Sequence, residues 1–137
     1  MTRGCITRLT RRYPRPMSNN QAPAAGECVF CKIIAREIPA DIIHETATTL
    51  AFRDVEPQAP THVLVIPKEH QPDVVALGAS SPHALVALVD AVGLVATQEG
   101  LGAGYRSVFN TGALAQQSVF HAHVHVLGGR PMTWPPG

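Results

Sequence analysis

Short apolar segments of the kind that form strands recur along this chain from about residue 42 onward. Residues 42–45, 48–53 and 61–67 are rich in β-branched side chains and end at polar residues or proline, which is typical of strands in a sheet. Residues 105–110 and 121–127 have the same character. The pattern therefore predicts five strands.

Two segments have helical spacing instead. Apolar residues three and four apart predict a short helix that begins near Cys28 and ends before Pro39. Ser81 and Pro82 are typical of the first residues of a helix, and Gly100 is typical of its end. Between them lies one apolar stripe, formed by Leu85, Leu88, Val89, Val92 and either Val95 or Ala96. This order predicts an α+β domain with a mostly antiparallel sheet, one long central helix and a short N-terminal helix.

The N-terminal residues differ in composition from the rest of the chain. Residues 1–26 contain five of the 11 basic residues and none of the ten acidic ones, so the remainder carries a net charge of −4. Prolines interrupt residues 1–27, which we interpret as a disordered extension. A transit peptide, or an upstream start with Met17 as the true first residue, is the alternative. Residues 28–137 are long enough for one domain.

Composition also limits the function. An acidic body lacks the long basic face of a protein that follows a nucleic acid, so no nucleic-acid partner is expected. No apolar run is long enough to cross a bilayer and no secretory signal is present, so we expect a cytoplasmic protein without a membrane partner. The odd number of cysteines, with Cys28 and Cys31 in a Cys-x-x-Cys pair, favours reduced thiols and suits a metal better than a disulfide framework.

Three histidines recur at every second position in residues 121–127. In an extended segment the three imidazoles would share one face, with Ala122, Val124 and Val126 on the other. A neutral imidazole can attack phosphorus without a separate base, and it leaves when water attacks the phosphorylated ring. A metal site is the alternative, although three ligands on one flat strand reach a single tetrahedral ion awkwardly. The row therefore favours nucleophilic catalysis at phosphorus.

The same region carries a resemblance to a known family. The run from Gln117 to Arg130 contains His-x-His-x-His followed by apolar residues and resembles the signature of the histidine triad (HIT) nucleotide hydrolases. Further segments resemble the Hint branch of that family in matching order: Phe52-Arg53-Asp54-Val55, Pro57-Gln58-Ala59-Pro60-Thr61-His62, Gly104-Tyr105-Arg106, Asn110-Thr111-Gly112 and Trp134-Pro135-Pro136-Gly137. The resemblance covers residues 28–137 as a HIT domain and implies a HIT-like fold. The Cys-x-x-Cys pair suggests an actinobacterial type of this branch.

The resemblance implies a role for each catalytic residue. His123 corresponds to the nucleophile that forms a nucleotidyl-histidine intermediate. His121 and His125 correspond to its neighbours, which orient the ring and contact phosphate. His62 corresponds to a fourth histidine of the site, and Ser118 to a hydroxyl near a phosphate oxygen or the leaving group.

The resemblance also implies a purine nucleotide pocket. Asp54 corresponds to the acid that accepts the ribose hydroxyls, and Phe52 and Val55 to walls around the base. The polar positions around ribose and phosphate, together with the triad, are Asn110, Gln116, Gln117, Ser118, His123 and His125. One departure is Ala115-Gln116, which stands where the family often carries two glycines; we expect it to narrow the phosphate loop or alter the rate.

Cys28 and Cys31 have the spacing of half a zinc site. Zinc-bearing relatives implied by the resemblance suggest His62 and His121 as the other two ligands. Such zinc would be structural, because His123 would stay unliganded. The alternative is that the cysteines are a small apolar pair on a short helix. No organic cofactor is expected.

The function implied is a hydrolase of purine nucleoside phosphoramidates or adenylated small molecules, with AMP or its phosphoramidates as ligands. One alternative is a nonenzymatic zinc-binding or nucleotide-binding adaptor, and another is a dinucleoside polyphosphate hydrolase of a sister branch. The resemblance further implies a homodimer in which the C-terminal tail, with Trp134, reaches the partner.

Overall fold

The computed structural model describes residues 25–137, so most of the predicted disordered extension, including Met17, lies outside the described residues. Five strands form one sheet in the order β1-β2-β3-β5-β4, and every neighbouring pair is antiparallel. The strands are β1 Ile42–Glu45, β2 Thr49–Arg53, β3 Thr61–Pro67, β4 Arg106–Val108 and β5 Val124–Gly128. The predicted antiparallel α+β fold is therefore confirmed.

The last two strands are shorter than the sequence pattern predicts. Residues 121–123 precede β5 and are not part of its ladder. Their backbone groups have other partners, because the amide of Ala122 donates to the carbonyl of Gln71 at 2.8 Å and the carbonyl of His121 accepts from the ring of His123 at 2.7 Å. The alternating histidines therefore begin before β5, in residues whose backbone does not pair with a neighbouring strand.

Three α-helices accompany the sheet: α1 Val29–Ile34, α2 Val74–Ser80 and α3 Pro82–Gln98. The predicted short and long helices are confirmed, but α2 was not predicted. Asp73 begins α2 by accepting a hydrogen bond from the amide of Ala76 at 2.8 Å. Ser81 joins α2 to α3, and its hydroxyl donates to Glu69 rather than capping α3. None of the helices in residues 25–137 is long and apolar enough to cross a bilayer.

The helices cover opposite faces of the sheet. Helix α3 packs on the face that carries Val63, Val65 and Val126. The buried positions of α3 are Leu88, Ala91, Val92, Val95 and Ala96. Val89, which the predicted stripe included, is 60% exposed. The face of α3 that packs on the sheet contains Ala91 instead.

Helix α1 covers only part of the opposite face. There Phe30 and Ile33 pack with Phe52 and Leu64 in a second buried cluster. Leu64 pairs with His125 across β3 and β5, and directly paired residues point to the same face of a sheet. The part of this face on the β5 and β4 side is not covered by α1, so it remains available for a functional site.

Candidate active site

A cleft of about 380 Å³ lies on this uncovered part of the sheet. We call it the triad cleft, and its lining includes His62, His125, Asn110, Arg106, Arg130 and Thr133. A larger hollow of about 740 Å³ lies on the neighbouring surface between Gly100 and Met132, but no histidine lines it. The smaller cleft, which two of the predicted site histidines line, is therefore the candidate active site.

His123 is held in one tautomer by the backbone. Its Nδ1 lies 2.7 Å from the carbonyl oxygen of His121, and because a carbonyl can only accept, Nδ1 must carry the proton. The lone pair is therefore on Nε2. Burial lowers the pKa of His123, although the hydrogen bond to His121 and the charge of Asp54 oppose this shift. The ring is thus neutral and nucleophilic at physiological pH.

His62 and His125 form a chain of hydrogen bonds with a defined direction. The amide of Gln58 donates to Nδ1 of His62 at 3.0 Å, so the proton of His62 is on Nε2. That Nε2 lies 2.9 Å from Nδ1 of His125 and donates to it. The remaining nitrogen of His125, Nε2, therefore carries a proton and can donate to a substrate in the cleft.

The surroundings of this pair favour its neutral form. Burial, followed by the neighbouring rings of His123 and His62, lowers the pKa of His125 to about 4. Burial also lowers the pKa of His62, while the carboxylate of Asp54 opposes that shift. Asp54, His62 and His125 are close enough to resemble a metal site. However, Nδ1 of His62 is occupied by an amide and its Nε2 shares a proton with His125, so these nitrogens are not free to be ligands.

The residues expected to hold the nucleoside lie at the end of β2. One carboxylate oxygen of Asp54 accepts from the amide of Glu56 at 2.8 Å, and the other lies 3.4 Å from Nε2 of His62. Phe52 is buried beneath α1. Val55 is 95% exposed and does not wall a closed pocket within the described chain.

The other predicted polar residues lie on the loop between β4 and β5 and differ in their exposure to solvent. Asn110 lines the triad cleft, while Gln116 and Ser118 are exposed. Gln117 is buried, and its amide bonds to the carbonyls of Pro72 and Val119 and to the amide of Gly112. Both ends of the Gln117 side chain therefore hold the loop in place.

A separate cluster of sulfur and nitrogen atoms lies beside the triad. Its members are Cys28, Cys31, His70 and His121, and their ligand atoms all lie within 4.8 Å of one another. Nε2 of His121 donates to the carbonyl of Pro67 at 2.8 Å, which leaves the lone pair on Nδ1 directed at the cluster. Both thiols are free of any disulfide.

The spacing within this cluster suits a tetrahedral ion. Nδ1 of His70 lies 3.1 Å from Nδ1 of His121, and Sγ of Cys31 lies 3.3 Å from His70 and 3.6 Å from His121. A zinc ion with ordinary bond lengths would separate two nitrogens by roughly 3.3 Å and a sulfur from a nitrogen by roughly 3.6 Å. The donor set therefore fits zinc. Burial and the neighbouring Cys28 raise the pKa of Cys31 to about 11, so a cation is needed to make the thiolate.

The predicted zinc ligands need one correction, since His70 takes the place of His62. His62 is near the start of β3, whereas His121 bonds to Pro67 at its end. Five residues of strand separate these ends by roughly 16 Å, so one ion cannot contact both histidines. Sequence reasoning missed His70, although its position three residues after the strand-ending Pro67 indicates the end of the sheet where the cysteines lie.

Comparisons with known proteins agree with this geometry. The family model of the HIT domain matches residues 35–132. An uncharacterized HIT-like protein of Synechococcus elongatus is 51% identical over 111 residues, which are 81% of this chain and 97% of that protein. A 14 kDa zinc-binding protein of Zea mays is 49% identical, over 80% of this chain and 87% of its own. These relatives are cyanobacterial and plant proteins, so they do not support the expected actinobacterial type.

Solved structures are similar as well. A HIT family hydrolase from Legionella pneumophila superposes with a TM-score of 0.77 at 47% identity and covers 80% of this chain and 99% of its own. A histidine triad nucleotide-binding protein from Candida albicans superposes with a TM-score of 0.69 at 33% identity and covers 79% of this chain and 82% of its own.

Proposed function

This chain belongs to the HIT domain family, and we propose that it is a nucleotide-binding hydrolase that forms a nucleotidyl intermediate on His123. The observation that carries the proposal is the hydrogen bond from Nδ1 of His123 to the carbonyl of His121. It fixes the proton on the ring nitrogen that does not react and leaves a lone pair on the other. The similar Legionella and Candida proteins, described as a hydrolase and as nucleotide-binding, support the same class.

The proposed reaction has two displacements at the α-phosphorus of a nucleoside phosphoramidate. Nε2 of His123 attacks phosphorus, the P–N bond to the leaving amine breaks, and the amine departs with its electron pair. Water then attacks the phosphorus, the bond to Nε2 breaks, and a nucleoside monophosphate is released. The bond between Nδ1 and the carbonyl of His121 stabilises the positive charge that the ring carries between the two steps.

The leaving amine gains one proton and the attacking water later loses one, and both protons exchange with solvent. His125 presents Nε2–H toward the cleft, while its Nδ1 accepts from Nε2 of His62. His125 keeps this proton and donates a hydrogen bond to a phosphoryl oxygen or to the departing nitrogen, where negative charge develops. This arrangement is electrostatic stabilisation by a donor whose tautomer the backbone defines.

The proposed substrates are purine nucleoside phosphoramidates and adenylated small molecules. Asp54 follows β2 and would accept the ribose hydroxyls, and its distance of 3.4 Å to His62 supports a ribose bound next to the reacting phosphate. Asn110, in the triad cleft, offers an amide to the phosphate. Ser118, which is exposed on the preceding loop, offers a hydroxyl to the same group or to the leaving amine.

Mass spectrometry of protein quenched during turnover of an adenosine 5′-phosphoramidate tests this proposal. We expect an added mass of one adenylyl group on His123, and we expect neither the adduct nor turnover in His123→Asn, although that variant should still bind AMP. His83→Asn, a change at an exposed histidine of α3, is the control and should keep both. An adduct on another residue, or full activity of His123→Asn, would contradict the assignment.

The same experiment separates the alternatives. A nonenzymatic adaptor would bind AMP in both variants and turn over nothing. A dinucleoside polyphosphate hydrolase would form the adduct from diadenosine polyphosphates faster than from the phosphoramidate. We favour the phosphoramidate, because the C-terminal Trp134-Pro135-Pro136-Gly137 resembles the Hint branch and not the sister branch.

We also propose that Cys28, Cys31, His70 and His121 hold a structural zinc ion. The donor spacing supports this, as does the similar zinc-binding protein of Zea mays. When bound, zinc would supply a fixed positive charge that stabilises the two thiolates. Metal analysis of purified protein should find about one zinc per chain, and Cys31→Ser should lose it, whereas His62→Gln should retain it. Zinc that follows His62 instead of Cys31 would contradict the ligand set.

A homodimer is the proposed assembly. Strand β4 is at the edge of the sheet, so its outer backbone groups are available to a second copy. Trp134 is 83% exposed on the C-terminal tail, which is unusual for so large an apolar group unless a partner covers it. Light scattering after gel filtration should give the mass of two chains; the mass of one chain would reject this proposal.

A further inference from the structure

Two arginines stand at the side of the triad cleft that the nucleoside residues leave open. From their placement we infer that the cleft is a subsite for an anionic leaving group, such as an amine that carries a carboxylate. This inference rests on the proposed hydrolase function and names the class of substrate for the same site. It concerns Arg106 and Arg130, to which no catalytic step above assigns a role.

The register of the sheet fixes where these arginines lie relative to the reacting groups. Arg106 pairs with Leu127, and Val108 pairs with His125, so Arg106 is on the same face as His125. Asp54 is at the end of β2, on the opposite side of His62. A nucleoside held by Asp54 therefore directs the group on the other side of phosphorus toward β4 and Arg106.

The positive charge in the cleft has no counter-ion among the described residues. Within residues 25–137 no carboxylate lies within 4.0 Å of Arg106 or Arg130, although Arg36, Arg53 and Lys68 each pair with an acid. The cleft lining contains no aspartate or glutamate. An anion on the β4 side of this cleft would therefore meet two cations, whereas Asp54 lies on the other side of His62.

Both guanidinium groups are oriented by backbone carbonyls and still have free donors. Arg106 donates to the carbonyl of Thr133 at 2.7 Å, which ties the C-terminal tail to β4. Arg130 donates to the carbonyls of Gln58 and Pro131, each at 3.0 Å. A guanidinium has five N–H donors, so each group retains donors for a carboxylate. These carbonyl contacts fix the side chains before a ligand arrives, which lowers the entropy cost of binding.

A matched pair of substrates tests the subsite. Adenosine 5′-phosphoramidates of 4-aminobutyrate and of 4-aminobutanamide have leaving groups of nearly the same size, and only the first carries an anion. The three-carbon spacer keeps the two amines similar in basicity. We expect kcat/KM to favour the carboxylate by about tenfold or more, since hydrogen bonds between charged groups contribute that much.

Variants at Arg106 test whether the preference for the carboxylate substrate arises in the triad cleft. Arg106→Gln keeps a donor for Thr133 but removes the charge, so it should bring the ratio of the two kcat/KM values close to one. Arg106→Lys should keep most of the preference. Arg36→Gln removes one positive charge outside the cleft and should keep all of it. Thermal melts verify that each variant is folded.

The measurement also works without a variant. Raising the salt concentration from 0.05 to 0.5 M should lower the wild-type ratio, because salt screens a solvent-accessible ion pair. Equal kcat/KM for both substrates in wild type, or a ratio that Arg106→Gln leaves unchanged, would overturn the subsite alone. Failure to turn over either substrate would overturn the proposed hydrolase, and the subsite with it.

Discussion

The carbonyl of His121 accepts a hydrogen bond from Nδ1 of His123 at 2.7 Å, while the ring of His121 is turned into the cluster with Cys28 and His70. One residue thus contacts both the candidate zinc site and the candidate nucleophile. Residues 121–123 lack ladder hydrogen bonds of their own, so their position depends on these side-chain and backbone contacts. Whatever holds the ring of His121 therefore also positions His123.

Loss of the cluster should loosen the nucleophile as well as the fold. We expect Cys31→Ser, or removal of metal by a chelator, to lower the melting temperature by roughly 10 °C. Amide hydrogen exchange at residues 121–123 should become faster, because the ring of His121 then keeps only its hydrogen bond to the carbonyl of Pro67. Cys5→Ser, which removes the thiol outside the described residues, is the control. Unchanged exchange at these residues in metal-free protein would show that the two sites are independent.

The hydrogen bond that Nε2 of His62 donates to Nδ1 of His125 gives a second prediction. His62→Phe removes the N–H that His125 accepts, so kcat should fall by roughly 10² while KM changes little. His62→Gln still offers an N–H and should recover part of the rate.

Nitrogen NMR of His125 distinguishes this positioning role from a general loss of structure. In the wild type the proton of His125 should be on Nε2, whereas in His62→Phe the two tautomers should mix. A single unchanged tautomer in His62→Phe would show that His62 does not orient His125.

The acid side of the pH profile follows from the low pKa of His125. Burial, and the rings of His123 and His62, lower it to about 4, so the imidazole is neutral above that pH and can accept from His62. We expect kcat/KM to be level from about pH 6 to 8 and to fall as the pH approaches 4. A fall centred near pH 6.5, the ordinary value for histidine, would mean that His125 is solvated in the working enzyme.

The free energy of unfolding should also fall as the pH becomes acidic. The pKa of His125 is lower in the folded protein than in the unfolded chain, so between about pH 6.5 and 4 the unfolded state binds more protons. The stabilisation is complete above pH 6.5 and is lost as the pH falls through about 4. Urea unfolding at several pH values measures this, and His125→Asn should reduce the slope between pH 6.5 and 4. An equal slope in that variant would assign the effect to other groups.

Local patterns were sufficient to predict most of the fold. The β-branched runs predicted β1, β2 and β3 to within one residue, and Pro82 and Gly100 enclosed α3. Helix α2 was missed because its seven residues offer little periodicity and its start depends on the side chain of Asp73. The start of β5 was missed because backbone groups of residues 121–123 bond to Gln71 and to the side chain of His123, which no local pattern encodes.

The candidate site was predicted less completely than the fold, for a geometric reason. The histidine row and the Cys-x-x-Cys pair are visible in the sequence, and the structure brings both together at His121. Choosing His70 over His62 as a ligand required knowledge of which end of β3 faces the cysteines. That choice depends on strand order and on the docking of α1, which are tertiary properties. The positions of Arg106 and Arg130 in the cleft depend in the same way on a tertiary property, the pairing of β4 with β5.

The loop before the triad allows a test of backbone strain at one of the two positions where the resemblance implies glycine and this chain has another residue. Gln116 has a φ of 67° and a ψ of 26°, which is the left-handed region, while Ala115 ends the preceding 3-10 turn without a positive φ. A side chain in the left-handed region costs roughly 1 kcal/mol relative to glycine. Gln116→Gly should therefore raise the free energy of unfolding by up to about 1 kcal/mol, whereas Ala115→Gly should lower it by about 0.5 to 1 kcal/mol through added freedom of the unfolded chain. Guanidinium titrations of both variants measure the difference, and two equal decreases would show that the loop relaxes in solution and stores no strain at Gln116.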